Sequence, residues 1–176
     1  MTQPADAVAE QGSALLSLYD AALPQVYGYL FRRCGSVAVA EDLTSETFVA
    51  AVDAVQRDRV PSLTVAWLIG VARHKLVDHW RRMERDHRLF DVVDGSLPDV
   101  TDDWDALLDA AAAHDTLAQL GPHHRGALTL RYVDGLPVDE VARHIGRSVG
   151  ATEVLLVRAR RAFRTAYESG LSEEDR

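Results

Sequence analysis

This chain of 176 residues has one cysteine, one lysine and no apolar run long enough to cross a bilayer. The lone Cys34 excludes a disulfide framework and a cysteine cluster for metal. Residues Met1 to Gly12 are polar and acidic, whereas a signal peptide is basic and then apolar. We therefore expect a cytoplasmic protein with no targeting segment and no insertion into a membrane.

The motifs of the common enzyme classes are also missing. The sequence contains no nucleophile elbow, no phosphate-binding loop and no evident inward pair of carboxylates. The pairs His123/His124 and His74/His79 are spaced one and five residues apart, and neither spacing converges ligands well on a helix. We predict no enzymatic activity, no small-molecule substrate, no cofactor and no metal.

Charge is distributed unevenly along the chain. The formal net charge is −8, but eight aspartates and no Arg or Lys lie between Leu89 and Asp115, and outside this segment acidic and basic residues are equal in number. Basic residues exceed acidic ones in Trp67–Arg88 and in Thr116–Ala166. Two basic modules thus flank an acidic linker, and clustered basic charge is the electrostatic footprint of nucleic-acid binding.

Hydrophobic periodicity predicts an all-α fold, because no segment alternates convincingly with period two. The apolar fraction of 47% suffices for the cores of two small domains or of one large one. In the N-terminal half, helices are predicted over about Ala14–Cys34, kinked or interrupted at Pro24, then over Val37–Val55 and Val65–Arg88. The second of these is predicted to turn four residues inward: Leu43, Phe48, Val49 and Val52.

The third predicted helix differs from the first two in its polar face. Opposite its apolar positions it carries basic and aromatic residues in alternation, which suits DNA whose bases are opened or stacked. Between the halves, a further helix is predicted around Trp104–Ala113, with Leu107 and Leu108 as its apolar contribution.

A helix-turn-helix is predicted near the C-terminus. Pro137 stands where a helix begins, Gly146 closes that helix and permits a left-handed turn, and Ser148 is a plausible N-cap for the next helix. The second helix, about Val149–Tyr167, would lie in a major groove with its first turns on the base edges. Four arginines would face outward or along phosphates: Arg158, Arg160, Arg161 and Arg164.

The opposite side of this second helix is predicted to pack in the core. Its residues are Thr152, Leu155, Leu156, Ala159, Phe163 and Ala166, and their predicted partners are Leu128, Leu130, Val141 and Ile145. From the residues alone, an ordinary amphipathic hairpin with a solvated basic face remains an alternative.

Two groups of motifs, one in each half of the chain, carry a resemblance to a known family. AEDLTSETF (40–48) and AWLIGVARHKLVDHWRR (66–82) resemble the promoter-melting domain of bacterial sigma factors. LGPHHR (120–125), LRYVDGLPVDEVA (130–142) and RAR (158–160) resemble their second DNA-binding domain. Together the motifs are similar to the extracytoplasmic-function (ECF) group of the sigma-70 family of RNA polymerase sigma factors.

The resemblance implies a domain plan and a function. It implies sigma region 2 (14–88), an acidic linker (89–115) and sigma region 4 with the helix-turn-helix (116–167). We expect a disordered N-terminal tail (1–13) before them and a short, polar, frayed tail (168–176) after them. The protein would bind core RNA polymerase, direct it to promoter DNA by reading −35 and −10 elements, and promote DNA opening. Transcription regulation through an anti-sigma factor is a further expectation that the family allows.

The resemblance also implies site residues. Polymerase binding would involve Arg32, Arg33, Asp42, Ser45 and Glu46. The −10 element would be read beside the loop Gln56–Thr64 by Arg73, His74, Lys75, Asp78, His79, Arg81 and Arg82. The −35 element would be read by Arg147, Gly150, Thr152, Glu153, Val154, Val157, Arg158 and Arg161.

Some alternatives stay open on the sequence. The linker is either a solvated spacer or a nucleic-acid mimic that competes with nascent RNA in a positively charged channel. In the recognition helix, Glu153 either accepts a bond from cytosine or is solvated, and Val154 and Val157 either touch thymine methyls or belong to the core. The alternative function is a stand-alone helix-turn-helix transcription regulator that acts without polymerase.

Overall fold

The computed structural model describes residues 4–57, 59–60, 62–87 and 110–174. Every regular element within these ranges is helical, which confirms the predicted all-α class. The chain divides into an N-terminal unit, residues 1–76, and a C-terminal unit, residues 77–176. No described helix combines the length and the apolar content needed to span a bilayer.

The N-terminal unit begins with two helices that pack along each other, α1 (Pro4–Cys34) and α2 (Val37–Gln56). Gly35, with φ 67°, makes the tight connection between them. Ser36 then caps α2, because its hydroxyl accepts a hydrogen bond from Val39 N at 3.5 Å. Buried residues on both helices form the core of this pair, among them Val26, Leu30 and Leu43.

Helix α1 starts earlier than predicted and passes through its proline. The predicted start at Ala14 is wrong, because Pro4 stands at the first helical position, where its missing N–H is no loss. An interruption at Pro24 is also wrong. Pro24 and Asp20, whose carbonyl loses its helical donor there, are both exposed, so water can satisfy that carbonyl.

Helix α3 runs from Val65 to His87, close to the prediction, and the boundary between the two units falls within it. The hydroxyl of Thr64 accepts a hydrogen bond from Trp67 N at 3.2 Å and so fixes the first turn. Leu68, Ala72 and Leu76 of this helix are fully buried.

Four further helices and a π-helical turn form the rest of the described C-terminal unit. They are α4 (Ala110–Gln119), α5 (Pro122–Leu128), the π-helical turn (Thr129–Val133), α6 (Val138–Ile145) and α7 (Val149–Glu174). Their core joins six buried residues, Ala127, Leu128, Leu155, Leu156, Ala159 and Phe163. Ile145 packs against this cluster, and Thr152, Leu130 and Val141 are also buried, so the predicted core side of the recognition helix is confirmed for these residues.

The turn between α6 and α7 has the predicted geometry. Gly146 adopts φ 69° and ψ 41°, a left-handed conformation that ends α6. Arg147 N then donates to Ala142 O at 3.0 Å, and Ala151 N donates to the Ser148 hydroxyl at 3.2 Å. The predicted helix-turn-helix, with Ser148 as N-cap, is therefore confirmed.

Helices α7 and α4 do not have the predicted bounds. The recognition helix continues past Tyr167 to Glu174, so the prediction of a frayed tail is wrong for residues 168–174. Gly170 does not adopt a positive φ and continues the helix. Of the helix predicted around Trp104–Ala113, only Ala110–Ala113 are described, as the start of α4; Trp104, Leu107 and Leu108 lie outside the described residues.

Candidate nucleic-acid and polymerase interfaces

The outward side of α2 carries the acidic residues predicted to bind polymerase. Asp42 and Ser45 are exposed, while Glu46 is half-buried. The Glu46 carboxylate lies 3.4 Å from the Lys75 ammonium of α3. Two residues from different predicted sites, polymerase binding and −10 reading, are thus paired within the N-terminal unit.

The two arginines predicted to support polymerase binding differ in their surroundings. Arg32 is exposed at the end of α1. The Arg33 guanidinium lies over the ring of Tyr29, 3.7 Å from its centroid, and donates to Tyr29 O at 3.0 Å. These contacts hold Arg33 against its own helix, so it contributes a fixed positive charge there.

An apolar groove between α1 and α2 was missed in the sequence analysis. It has a volume of about 820 Å³ and includes Leu16, Tyr19 and Val49 among its lining. Val49 is 68% exposed and Val52 is 45% exposed, so the prediction that both point into the core is wrong. The core of this helix pair instead uses the smaller Thr47 and Ala51, whose burial a reading of large apolar residues does not predict.

The residues predicted to read the −10 element all lie on α3, but they are not equally accessible. His74, Asp78 and Arg82 are exposed, whereas Arg73, Lys75, His79 and Arg81 are half-buried. The carboxylate of Asp78 lies 3.6 Å from the Arg81 guanidinium, one turn along the helix. The loop Gln56–Thr64 includes Asp58 and Pro61, which lie outside the described residues.

Apart from Arg147, the residues predicted to read the −35 element lie on α7, between Gly150 and Arg161. Gly150, Glu153 and Arg161 are exposed, and Val154, Val157 and Arg158 are half-buried. Thr152 is fully buried and its hydroxyl donates to Ser148 O at 2.9 Å. Its assignment as a DNA-contacting residue is therefore wrong, because its side chain faces the core and is not accessible to DNA.

Arg147, at the turn before α7, is held by an ion-pair cluster. Its Nη2 lies 3.4 Å from Glu84 Oε1 and 3.1 Å from His123 Nε2, and His123 also contacts the Glu84 carboxylate. Burial, then the charge of Arg147, then His124 lower the pKa of His123 from 6.5 to about 4. The imidazole is therefore neutral at pH 7, and Glu84, which sequence reasoning missed, is the buried acid of the cluster.

The last turns of α3 make two further contacts within the C-terminal unit. Arg81 Nη2 donates a hydrogen bond to the carbonyl oxygen of His144, in the last turn of α6. A Cβ at Gly126 would lie 3.0 Å from the ring of Trp80, which is buried, so the absence of a side chain there permits close packing.

No group of three or more His, Cys, Asp or Glu side chains in the described part of the chain is placed to hold a metal ion. The two histidine pairs singled out in the sequence therefore have no third ligand of these types among the described residues.

Comparison with known proteins assigns each half of the chain to a region of the sigma-70 family. Residues 18–86 match Sigma-70 region 2, and residues 110–163 match Sigma-70, region 4. The ECF RNA polymerase sigma factor SigL of Mycobacterium tuberculosis is 31% identical over 180 residues, covering 98% of this chain and 99% of that protein. The ECF RNA polymerase sigma factor BldN of Streptomyces coelicolor is 35% identical over 170 residues, covering 89% of this chain and 61% of BldN.

A solved structure supports the fold. The sigma factor RpoE, in its complex with the anti-sigma factor NepR from Bartonella quintana, superposes with a TM-score of 0.53 at 20% identity. The match covers 86% of this chain and 95% of that one.

A helix-turn-helix following a first domain with a basic helix defines a DNA-binding factor of transcription. The chain belongs to the ECF group of the sigma-70 family of RNA polymerase sigma factors. These are transcription initiation factors that act with RNA polymerase at promoters, and the family is not enzymatic.

Proposed function

We propose that this sigma factor binds core RNA polymerase, brings it to promoters with distinct −35 and −10 elements, and promotes opening of the duplex. The observation that carries the proposal is the occurrence of both sigma regions in order, the first containing α3 and the second the start of α7. A stand-alone regulator would need only the helix-turn-helix, so that alternative leaves the match to region 2 unexplained.

Polymerase binding is assigned to the outward side of α2. Asp42 and Ser45 are exposed there and Glu46 lies beside them, so a negative edge is available to a basic partner surface. Arg32 and Arg33, in the last turn of α1, would support the same contact. Charge complementarity of this kind raises the association rate and makes it salt-dependent.

Reading of the −10 element is assigned to α3. Exposed His74 and Arg82 would make the first contacts with the strand, with Arg73, Lys75, Asp78, His79 and Arg81 beside them. One base would be flipped beside the loop Gln56–Thr64. Flipping costs a few kcal/mol, which stacking and phosphate contacts along the helix must offset.

Reading of the −35 element is assigned to Arg147 and the first turns of α7. Gly150 allows close approach of the backbone, and exposed Glu153 can accept a bond from a cytosine amino group. Val154 and Val157 would touch thymine methyl groups, while Arg158 and Arg161 would bind phosphate or guanine.

The domain plan also belongs to this proposal. Region 2 would span residues 14–88 and region 4 residues 116–167, with residues 89–115 as a linker that spaces the two or competes with nascent RNA. The protein would work in the cytoplasm, with its polymerase. An anti-sigma factor is proposed as a further partner; NepR is the partner of RpoE in the solved structure, and that observation concerns RpoE.

A reconstituted transcription assay tests the proposal. Purified protein is added to core RNA polymerase with fragmented genomic DNA, and run-off transcript starts are mapped against a control with core enzyme alone. Starts that cluster downstream of a shared two-part motif are expected. Failure to bind core polymerase would overturn the proposal in favour of the stand-alone regulator.

A further inference from the structure

Glu46 of α2 and Lys75 of α3 form an ion pair inside the N-terminal unit, which ends at residue 76. Glu46 Oε2 lies 3.4 Å from Lys75 Nζ, and the two side chains are 35% and 31% exposed. Glu46 is assigned to polymerase and Lys75 to the −10 element. The pair therefore connects two surfaces that face different partners, and each side chain keeps one side open to solvent.

The backbone on both sides of the pair is held by buried neighbours. Leu43 and Thr47 are buried on α2, and the Thr47 hydroxyl donates to Leu43 O at 2.7 Å, so this buried polar group is satisfied. Ala72 and Leu76 are fully buried on α3. The core thus fixes where the two side chains begin, and only the conformations of these long side chains remain adjustable.

Lys75 benefits from a partner that restricts its side chain. Its ammonium stands on a flexible four-carbon stem, and ordering that stem on a phosphate costs conformational entropy. A carboxylate that already holds the ammonium lowers this cost, because fewer side-chain conformations remain to be lost when the strand binds. Glu46 is therefore placed to pre-organise Lys75 for a phosphate contact.

The pair can stay formed while both partners bind. An ammonium has three donors and a carboxylate has about four acceptor sites, so Lys75 can also donate to a phosphate and Glu46 can also accept from a basic group of polymerase. The four groups then alternate in charge: a polymerase cation, the Glu46 carboxylate, the Lys75 ammonium and a DNA phosphate. Each group attracts the next, and the polymerase cation offsets the repulsion between the carboxylate and the phosphate.

We propose that Glu46 is a positioning residue for the −10 element: its carboxylate holds the Lys75 ammonium for a phosphate of the strand, while polymerase supplies the cation that balances Glu46. The inference rests on the proposed function, which assigns the two residues to different partners, and it adds a link between those partners. Through this pair of side chains, polymerase on α2 raises the affinity of α3 for the −10 strand.

A double-mutant cycle in the holoenzyme tests the link. Glu46→Gln, Lys75→Met and the double variant are compared with the wild type for the rate of open-complex formation on a promoter mapped by run-off, read by permanganate reactivity of thymines. Core polymerase is in saturating excess, so slower association of Glu46→Gln does not limit the rate. Glu46→Gln is expected to slow opening about threefold to fivefold, the factor that a partly exposed ion pair provides.

The double variant and a matched control separate positioning from other effects. Because Glu46 acts through Lys75, the double variant is expected to open no more slowly than Lys75→Met alone. Additive losses, or unchanged opening in Glu46→Gln, would overturn the proposal. Glu41→Gln is the control, because Glu41 is exposed on α2 and is not assigned to a partner. An equal loss in Glu41→Gln and Glu46→Gln would reduce the effect to one of general charge and also overturn the proposal.

A second measurement reports the position of Lys75 without DNA or polymerase. Because Lys75 is the only lysine of the chain, selective labelling with ¹³C-lysine gives NMR signals from this side chain alone. Relaxation of its Cε is expected to show an ordered group in the wild type and in Glu41→Gln, and a mobile one in Glu46→Gln. Equal mobility in the wild type and Glu46→Gln would overturn the proposal. An absence of transcript starts with core polymerase, while Lys75 is ordered by Glu46, would instead overturn the proposed function on which the inference rests.

Discussion

The ammonium of Lys75 on α3 lies 3.4 Å from the carboxylate of Glu46 on α2, with about a third of each side chain exposed. The pair links the helix assigned to the −10 element with the helix assigned to polymerase. Because both side chains are partly solvated, the pair contributes at most about 1 kcal/mol to the free energy of unfolding. Its two charges are therefore available for exchange with a partner at little cost to the fold.

Replacing Glu46 tests the polymerase surface. Glu46→Gln is expected to slow association with core polymerase and to reduce its salt dependence, because a charge is lost from a steering edge. The free energy of unfolding should change by less than about 1 kcal/mol. Stopped-flow association at two salt concentrations measures the rate and its salt dependence. Asp20→Asn is the control, because Asp20 is exposed on α1 and is not assigned to polymerase. Identical rates for both variants would contradict the assignment.

Replacing Arg82 tests the −10 assignment on α3. Arg82→Ala is expected to reduce open-complex formation and to lower the salt slope of promoter binding by about one, as loss of a phosphate contact does. Permanganate reactivity of unpaired thymines measures the opening. Arg85→Ala is the control, because Arg85 is also exposed on α3 and is not assigned to DNA. Unchanged opening in Arg82→Ala would remove Arg82 from the site.

Replacing Arg158 tests the −35 assignment on α7. Arg158→Ala is expected to weaken binding to the upstream element, and wild-type binding should fall more steeply with salt than that of the variant. Arg143→Ala, exposed on α6 and not assigned to DNA, is the control. Titration of the holoenzyme on a promoter duplex over a range of salt distinguishes the two. Equal slopes for wild type and Arg158→Ala would exclude a phosphate contact.

The helix-turn-helix was predictable because its signals are local. Pro137, Gly146 and Ser148 each act on the backbone within a few residues, and the apolar spacing of α7 is regular. Thr152 shows the limit of that reasoning. The family resemblance placed it among the DNA-contacting residues, although its position on the core side of α7 predicted burial, and the structure buries it.

Contacts between distant segments could not be read from the sequence. Glu84 stands among three arginines, Arg81, Arg82 and Arg85, so its own helix gives no sign that its partner is Arg147, 63 residues away. Val49 was expected in the core for its apolar type, yet it lines an open groove. Both outcomes depend on the tertiary arrangement of helices, which side-chain type and spacing do not specify.

His123 predicts a dependence of stability on pH. Its pKa is about 4 in the folded chain and 6.5 as an ordinary histidine, so between these values the unfolded chain binds the proton more readily. The contribution to stability is complete above pH 6.5 and is lost as the pH falls toward 4. Urea unfolding midpoints should therefore decrease in this window.

Because carboxylates also titrate there, the informative quantity is the difference from His123→Gln, whose side chain binds no proton. The wild type should lose more stability than His123→Gln between about pH 7 and about pH 5. A wild-type midpoint that falls no faster than that of His123→Gln would show that the imidazole is not held neutral beside Arg147.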